Sequence, residues 1–347
     1  MPDIWTHIIF GEEVIAGLDN LEVDWIEGRE NFYRFACQGP DFFFYYKFLP
    51  WQNNEGLEMV GHRIHNEIGG QFVHHGIRYL KNVKDGLQRM DRYDGKKYLQ
   101  NSYYQSLTVY MIGLITHYAM DAIAHPYIFH KTGVYLPDNL HTHQYKGNHK
   151  VLEEIIDSIL LWEKWGLKAH KEPVYTWIQF NKLPDSFYSF YQHLVNKLFK
   201  ISLSKEALNQ SYQDMIRAWK LFYDPYGIKV GLFKVLKKVT FGNVQFDYFF
   251  YPRKIDEAID YLNRVNGEWC HPLDRDEIHD ESFDQLWDKA KKLARMWIRS
   301  MFAYLEGEID YKQLLNMIPT LSFSTGKNPA KGGGREMMFF NPVVEVK

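Results

Sequence analysis

The sequence predicts an all-α protein, a multi-helix bundle. Three observations carry that expectation. Apolar residues recur at the helical period through most of residues 174–320 and in two strong stretches before them. Asn, Ser and Gly stand where those stretches begin and end, as helix caps require. Aromatic residues make up 17% of the 347-residue chain, which supplies the bulk for a large core.

Composition narrows the class. Hydrophobic residues make up 46% and charged residues 24%, a soluble globular balance. The net charge is −2, and lysines gather only in short clusters such as Lys234, Lys237 and Lys238, so no long nucleic-acid partner is expected. The two cysteines, Cys37 and Cys270, cannot form a disulfide framework or a thiolate zinc site. No leader is expected at the start, and no uninterrupted apolar run approaches the roughly 18 residues of a membrane span. A cytoplasmic protein is expected. Residues 1–170 read as a metal-binding helical core, 171–321 as a helical extension packed on the same domain, and 322–347 as an extended, partly disordered tail.

Taken in order, the chain opens with Trp5 and His7, followed by a mixed helical pattern from Gly11 to Leu18. Gly39-Pro40 marks a turn, and Asp41 follows it ahead of five consecutive aromatics. Asp41 reads either as a helix N-cap or as a carboxylate at an aromatic-walled pocket. Residues 57–80 are helical, interrupted at Gly69-Gly70, and carry His62, His65, His74 and His75. Residues 83–100 read as a loop or weak helix. A central helix is expected from Asn101-Ser102 to about His125, ended by Pro126. A polar loop over 130–147 leads to a further helix from Asn148 to Trp165, stopped by Gly166. Later helices are expected over 184–200, 204–222, 254–263 and 282–306, the last with a Ser282/Gln285 capping box.

The central helix carries the chemistry. His117, Asp121 and His125 are spaced by four, so they share one helix face in an apolar setting. Two imidazoles and a carboxylate buried together are costly unless a partner such as a cation meets them. The helix starting at Asn148 repeats the pattern with His149, Glu153 and Asp157. With His7, Asp41 and His65 these form a nitrogen and oxygen donor set that suits zinc and its neighbours. The Cα atoms of His117 and His125 would lie about 12 Å apart, too far for one ion to take both easily. Asp121, midway, has two oxygens and can bridge, so the spacing favours a polynuclear site suited to phosphate-ester hydrolysis.

These stretches resemble the bacterial zinc-dependent phospholipase C family, whose all-helical fold is shared distantly with P1-type nucleases. The resemblance is carried by Met-Pro-Asp-Ile-Trp-Thr-His, Gly-Pro-Asp-Phe-Phe-Phe-Tyr-Tyr, Gly-His-Arg-Ile-His, His-Tyr-Ala-Met-Asp-Ala-Ile-Ala-His-Pro and His-Lys-Val-Leu-Glu, within about residues 1–160. It implies a phospholipase C/P1 nuclease-like bundle with a helical C-terminal extension. It also implies one zinc on Asp41, His65, His117 and Asp121, a second on His125, His149 and Glu153, and a third bridged by Asp121 and held by His7. By its place in the motif His65, rather than His62, is the implied ligand. Asp41 matches the general base, and Phe42 a pocket aromatic. The secreted enzymes complete the third zinc with a mature N-terminal tryptophan. With no leader expected to expose Trp5, that site is short of ligands, and two to three zinc ions are expected. The expected substrate is a small phosphorylated compound or a phospholipid headgroup, with transient contact at a membrane surface. Alternatives are a nuclease or nucleotide phosphatase on the same fold, and a non-catalytic metal-binding scaffold.

Overall fold

The computed structural model describes residues 3–18, 21–49, 52, 56–90, 97–240, 246–334 and 336–345, with backbone alone at 21–23. The helices are α1 (Ile4–Ile15), α2 (Glu30–Ala36), α3 (Glu58–Arg63), α4 (Gly69–Met90), α5 (Ser102–Thr132), α6 (Asn148–Trp165), α7 (Tyr175–Ile178), α8 (Asp185–Phe199), α9 (Lys205–Phe222), α10 (Ile228–Val239), α11 (Phe283–Glu306) and α12 (Tyr311–Met317). One antiparallel hairpin, β1 (Trp269–His271) with β2 (Asp274–His279), is the only sheet among the described residues. The all-α class is as expected.

Helix α5 is the axis of the fold. Asn101 Oδ1 caps it by accepting from the amides of Tyr103 and Tyr104 at 3.0 and 3.1 Å. The helix is apolar on all sides and therefore has to be enclosed. By length and composition it could cross a membrane, but 94% of its most apolar window is buried inside the protein. Helices α1, α2, α4, α6, α8 and α11 pack around it.

The expected end of this helix at Pro126 is corrected. The helix runs on to Thr132 and stops at Gly133, whose φ is 72°. Pro126 cannot donate to the Ala122 carbonyl four residues back. The C-terminal tail covers that gap: a Cβ added to Gly326 would lie 2.2 Å from the Ala122 oxygen, and Gly326 has φ +61°. Only glycine allows both the approach and the conformation.

Other boundaries moved for local reasons. Gly69-Gly70 does not interrupt the second helical stretch so much as follow a π-wound turn, Ile64–Ile68, that joins α3 to α4. Helix α4 then continues through the expected loop to Met90, because Val83 and Leu87 pack on the core. Residues 91–96 of that expected loop lie outside the described residues. The helix expected over 254–263 is replaced by turns. There the Asp256 carboxylate accepts from Ala258 N and the Asp260 carboxylate from Val265 N, local bonds that compete with a helix. The β hairpin was not foreseen and falls within the stretch 174–320 read as mostly helical.

The C-terminal region packs directly on the centre. Trp297 of α11 stacks on Tyr118 of α5 with ring centroids 4.8 Å apart, and Trp287 meets Phe10 of α1 edge-on at 5.0 Å. The Ser282/Gln285 capping box is present at the start of α11. In the expected tail, the first residues, Ser322 to Thr325, are buried, and a 3-10 turn follows at Pro329–Lys331. Further on, Asn341 N and Val343 N donate to the carbonyls of His130 and Lys131 at 2.7 and 2.9 Å. Arg335 and residues 346–347 of the expected tail lie outside the described residues.

Candidate metal centre

Five segments converge on one buried region. Helix α1 brings His7, the turn after Gly39-Pro40 brings Asp41, and the π-wound turn brings His65. Helix α5 brings His117, Asp121 and His125, and α6 brings His149 and Glu153. All are buried except the half-buried His149. Their donor atoms form three groups, the first two overlapping at His117: His7 with Asp41 and His117, His65 with His117 and Asp121, and His125 with His149 and Glu153, each within 4.8 Å. The eight expected donors are thus brought together. His62 is exposed, its ring against Phe44, and is not among them.

Asp121 sits between the groups. Its Oδ1 lies 3.3 Å from His7 Nε2, and its Oδ2 lies 3.1 Å from His117 Nε2, 3.8 Å from His125 Nδ1 and 3.9 Å from His65 Nε2. Asp41 Oδ1 lies 3.0 Å from His65 Nε2 and 3.6 Å from His117 Nε2. His149 Nε2 and Glu153 Oε1 are 2.8 Å apart. The third site implied at His7, bridged by Asp121, thus lies against Asp41 and His117 as well, and its group overlaps that of His65 at His117.

The donors are aimed by backbone. His65 Nδ1 donates to the Gly61 carbonyl, and His125 Nδ1 to the Phe323 carbonyl, each at 2.7 Å. Those bonds fix each ring's tautomer and leave Nε2 with a free lone pair for a ligand. Phe323 N in turn donates to the His65 carbonyl at 2.8 Å, and Ser322 Oγ to the same carbonyl at 3.0 Å. The Phe323 ring packs on His65, His117 and Tyr118. At the other side, Gly39 has φ +53°, and a Cβ there would strike the His117 ring at 2.3 Å. Asp157, third in the α6 stripe, is no donor to this cluster. Its oxygens accept from Trp5 N and Thr6 N at 2.9 and 2.8 Å, and Tyr251 OH donates to it at 2.9 Å. It thereby caps α1 and positions His7 one residue further on.

Electrostatics show why the region suits a cation. Burial lowers the pKa of His7 and of His65 to about 4, so both are neutral, ligand-ready imidazoles near neutral pH. Burial also works against Asp121, but His117 and His125 outweigh it and hold its carboxyl well below the usual range. Asp41 goes the other way, raised well above the usual range by burial despite His117, with Asp121 adding repulsion. Two carboxylates in one buried site cannot both ionise without a compensating charge. His7 Nδ1 and Nε2, Asp41 Oδ1, His65 Nε2, both nitrogens of His117, both oxygens of Asp121 and His125 Nε2 are buried with no hydrogen bond among the described residues. Such a concentration of buried, unbonded donors is costly unless an ion meets them. The all-nitrogen-and-oxygen set fits zinc.

The cluster opens on a cavity of about 690 Å³, to which Asp41, His149 and Glu153 contribute wall. Phe44, Tyr45, Phe48, Phe222, Phe246, Tyr248 and Phe249 make its aromatic sides, with Lys47, Lys146 and Lys150 among the polar groups. Phe42, expected to be the pocket aromatic, is corrected: it has no exposed surface and packs on Phe35, Phe43, Phe187 and Tyr191. The short 3-10 turn Asp41–Tyr45 points Phe42 and Phe43 inward and leaves Phe44 and Tyr45 at the cavity. Sequence reasoning also missed Ser322, Phe323, Gly39 and Asp157 as supports. Asp157 carried a signal in its four-residue spacing from Glu153, and Gly39 one in the Gly39-Pro40 turn.

The sequence model of the zinc dependent phospholipase C family matches residues 6–205. This is more than half the chain and contains every donor of the cluster, and the chain belongs to that family. No curated protein and no solved structure matches it.

Proposed function

We propose that the chain is a hydrolase of phosphate esters, of the phospholipase C type, working through a polynuclear zinc site. The observation that carries this reading is that Asp41 belongs to the donor cluster and to the cavity wall at once. One ion would be held by Asp41, His65, His117 and Asp121, a second by His125, His149 and Glu153. His7 with the second oxygen of Asp121 would hold a third, giving two to three in all. Zinc supplies Lewis acidity there, drawing charge from phosphoryl oxygens and acidifying water.

The chain's own residues do the rest. Asp41 stands in the cavity wall within the donor cluster, which places its carboxylate to take a proton from an attacking water. The water oxygen bonds to phosphorus, the bond from phosphorus to the leaving alcohol breaks, and the alcohol takes up a proton. Aromatic walls exclude water from the bound ester, and Phe44 and Tyr45 lie beside Asp41 to orient it. The substrate is a small phosphorylated compound or a phospholipid headgroup.

The test is zinc analysis of the purified protein followed by turnover on p-nitrophenyl phosphorylcholine and a panel of other phosphodiesters and phosphomonoesters. We expect at least two zinc ions per chain, and a His117→Ala variant that stays folded but loses turnover. Fully metallated protein with no turnover on any ester would overturn the enzymatic reading, and less than one zinc per chain under replete conditions would overturn the site.

A further inference from the structure

Helix α10 differs from the other long helices. None of its residues is buried, yet it is as apolar as a core helix. Asp224 starts it by accepting from Ile228 N and Val230 N at 3.0 and 2.9 Å. One side, Val230 and Phe233, packs on an aromatic cluster with Phe222, Phe246 and Phe249. Those three rings also form a wall of the cavity beside the metal centre.

The opposite side faces outward. Ile228, Leu232, Val235 and Val239 are 66, 65, 60 and 69% exposed, and their spacing of four, three and four places them on one stripe. A solvent-facing stripe of this kind needs a partner. Charge says which. The helix carries four lysines and no acidic residue. Lys229 is occupied by the carbonyls at the end of α9, and Lys237 lies 3.3 Å from Asp247. Lys234 and Lys238, one turn apart, are exposed beside the apolar stripe. Apolar side chains flanked by lysines on a helix lying along a surface are the pattern of an interfacial helix on anionic lipid.

We propose that α10 is a membrane-surface helix, which inserts the stripe Ile228, Leu232, Val235 and Val239 into the headgroup boundary of a bilayer containing anionic lipid. It thereby holds the aromatic wall of the cavity at the lipid surface. What that seating serves rests on the phosphate-ester reading above, whereas the binding itself does not.

The experiment is co-sedimentation of the full chain with vesicles of phosphatidylcholine alone and of phosphatidylcholine with phosphatidylglycerol. We expect binding to the anionic vesicles, weakened by salt, and little to the neutral ones. Leu232→Gln/Val235→Gln and Lys234→Gln/Lys238→Gln should each weaken it by about tenfold or more. Both double variants should hydrolyse a small soluble ester at the rate of the unmodified protein. Binding that the variants leave unchanged would overturn the proposal, as would an unmodified protein that ignores both vesicles. So would a dimer in solution that Leu232→Gln/Val235→Gln dissociates, which would assign the stripe to a second copy of the chain. Vesicle binding without turnover on any ester would instead sink the enzymatic reading and leave this one standing.

Discussion

The carbonyl of Phe323 accepts the Nδ1 proton of His125 at 2.7 Å, from a position 198 residues further along the chain. The same short segment binds the backbone of His65. A tail outside the region of the family match therefore orients histidines in two of the three donor groups. Gly326, packed on Ala122, anchors that tail, and a side chain there has no room. Gly326→Ala should lower zinc affinity about tenfold or more, the usual cost of losing a ligand's outer hydrogen bond. Competition with a chromophoric chelator measures it, and unchanged affinity would show that the tail does not set the histidines.

Zinc removal should destabilise the fold, since Asp41 and Asp121 would face each other with no cation between them. If zinc is present at about a thousand times its dissociation constant, chelation should cost about 4 kcal/mol. Thermal melts with and without chelator, and with zinc restored, give the number. Equal melting temperatures would argue that the ligands are paired without metal.

Asp157→Asn separates positioning from ligation. The amide can accept from one of Trp5 N and Thr6 N but presents a donor to the other, so a loss of about 1–3 kcal/mol in stability is expected. Glu153→Gln should instead lower zinc content with a smaller change in stability. Zinc analysis and denaturant titration of both variants should show the two effects apart. If Asp157→Asn alone lost an ion while keeping full stability, Asp157 would be a ligand after all.

The two neighbouring phenylalanines should behave differently. Phe42→Ala opens a hole in an aromatic core and should cost about 3–5 kcal/mol. Phe44→Ala alters the cavity wall and should raise KM more than it lowers stability. Urea unfolding and steady-state kinetics on the two variants would show it, and the reverse pattern would restore Phe42 to the pocket.

Acid sensitivity should come in part from Glu13. Partial burial opposes its ionisation, but Lys164, Trp287 and Lys291 outweigh that and hold its pKa at about 2, against 4.5 ordinarily. Its folded-state pKa is depressed, so the stability it gives is fully present above about pH 4.5 and is lost as pH falls toward 2. In Glu13→Gln the drop in stability across that window should be shallower. Parallel curves for the two proteins would remove Glu13 from the account.

What was legible in the sequence was whatever depends on spacing along one helix. The His117, Asp121 and His125 stripe, the His149 and Glu153 pair, and the caps at Asn101 and Ser282 follow from the helical period. Choosing His65 over His62 needed the family resemblance, because both lie on the same short stretch and only the fold buries one of them. The orientation of Phe42 was not legible, since five aromatics in a row carry no period that separates core from cavity. Helix α5 passes through Pro126, and a glycine two hundred residues later packs on the opened carbonyl, a contact of which local propensity holds no trace. Ser322 and Phe323 were hidden for the same reason, in a tail whose composition reads as loose chain.

The distance between Phe323 and His125 along the chain also sets an order in time. All eight donors have been synthesised by residue 153, yet His125 receives the partner of its Nδ1, and His65 the bonds to its backbone carbonyl, only when residues 322 and 323 have been made. A chain growing from its N-terminus thus carries its ligands for much of its synthesis without the frame that aims them. Metal capture at the proposed site would therefore reach full strength only once residues 322 and 323 have folded back onto the donors, as a latch over them.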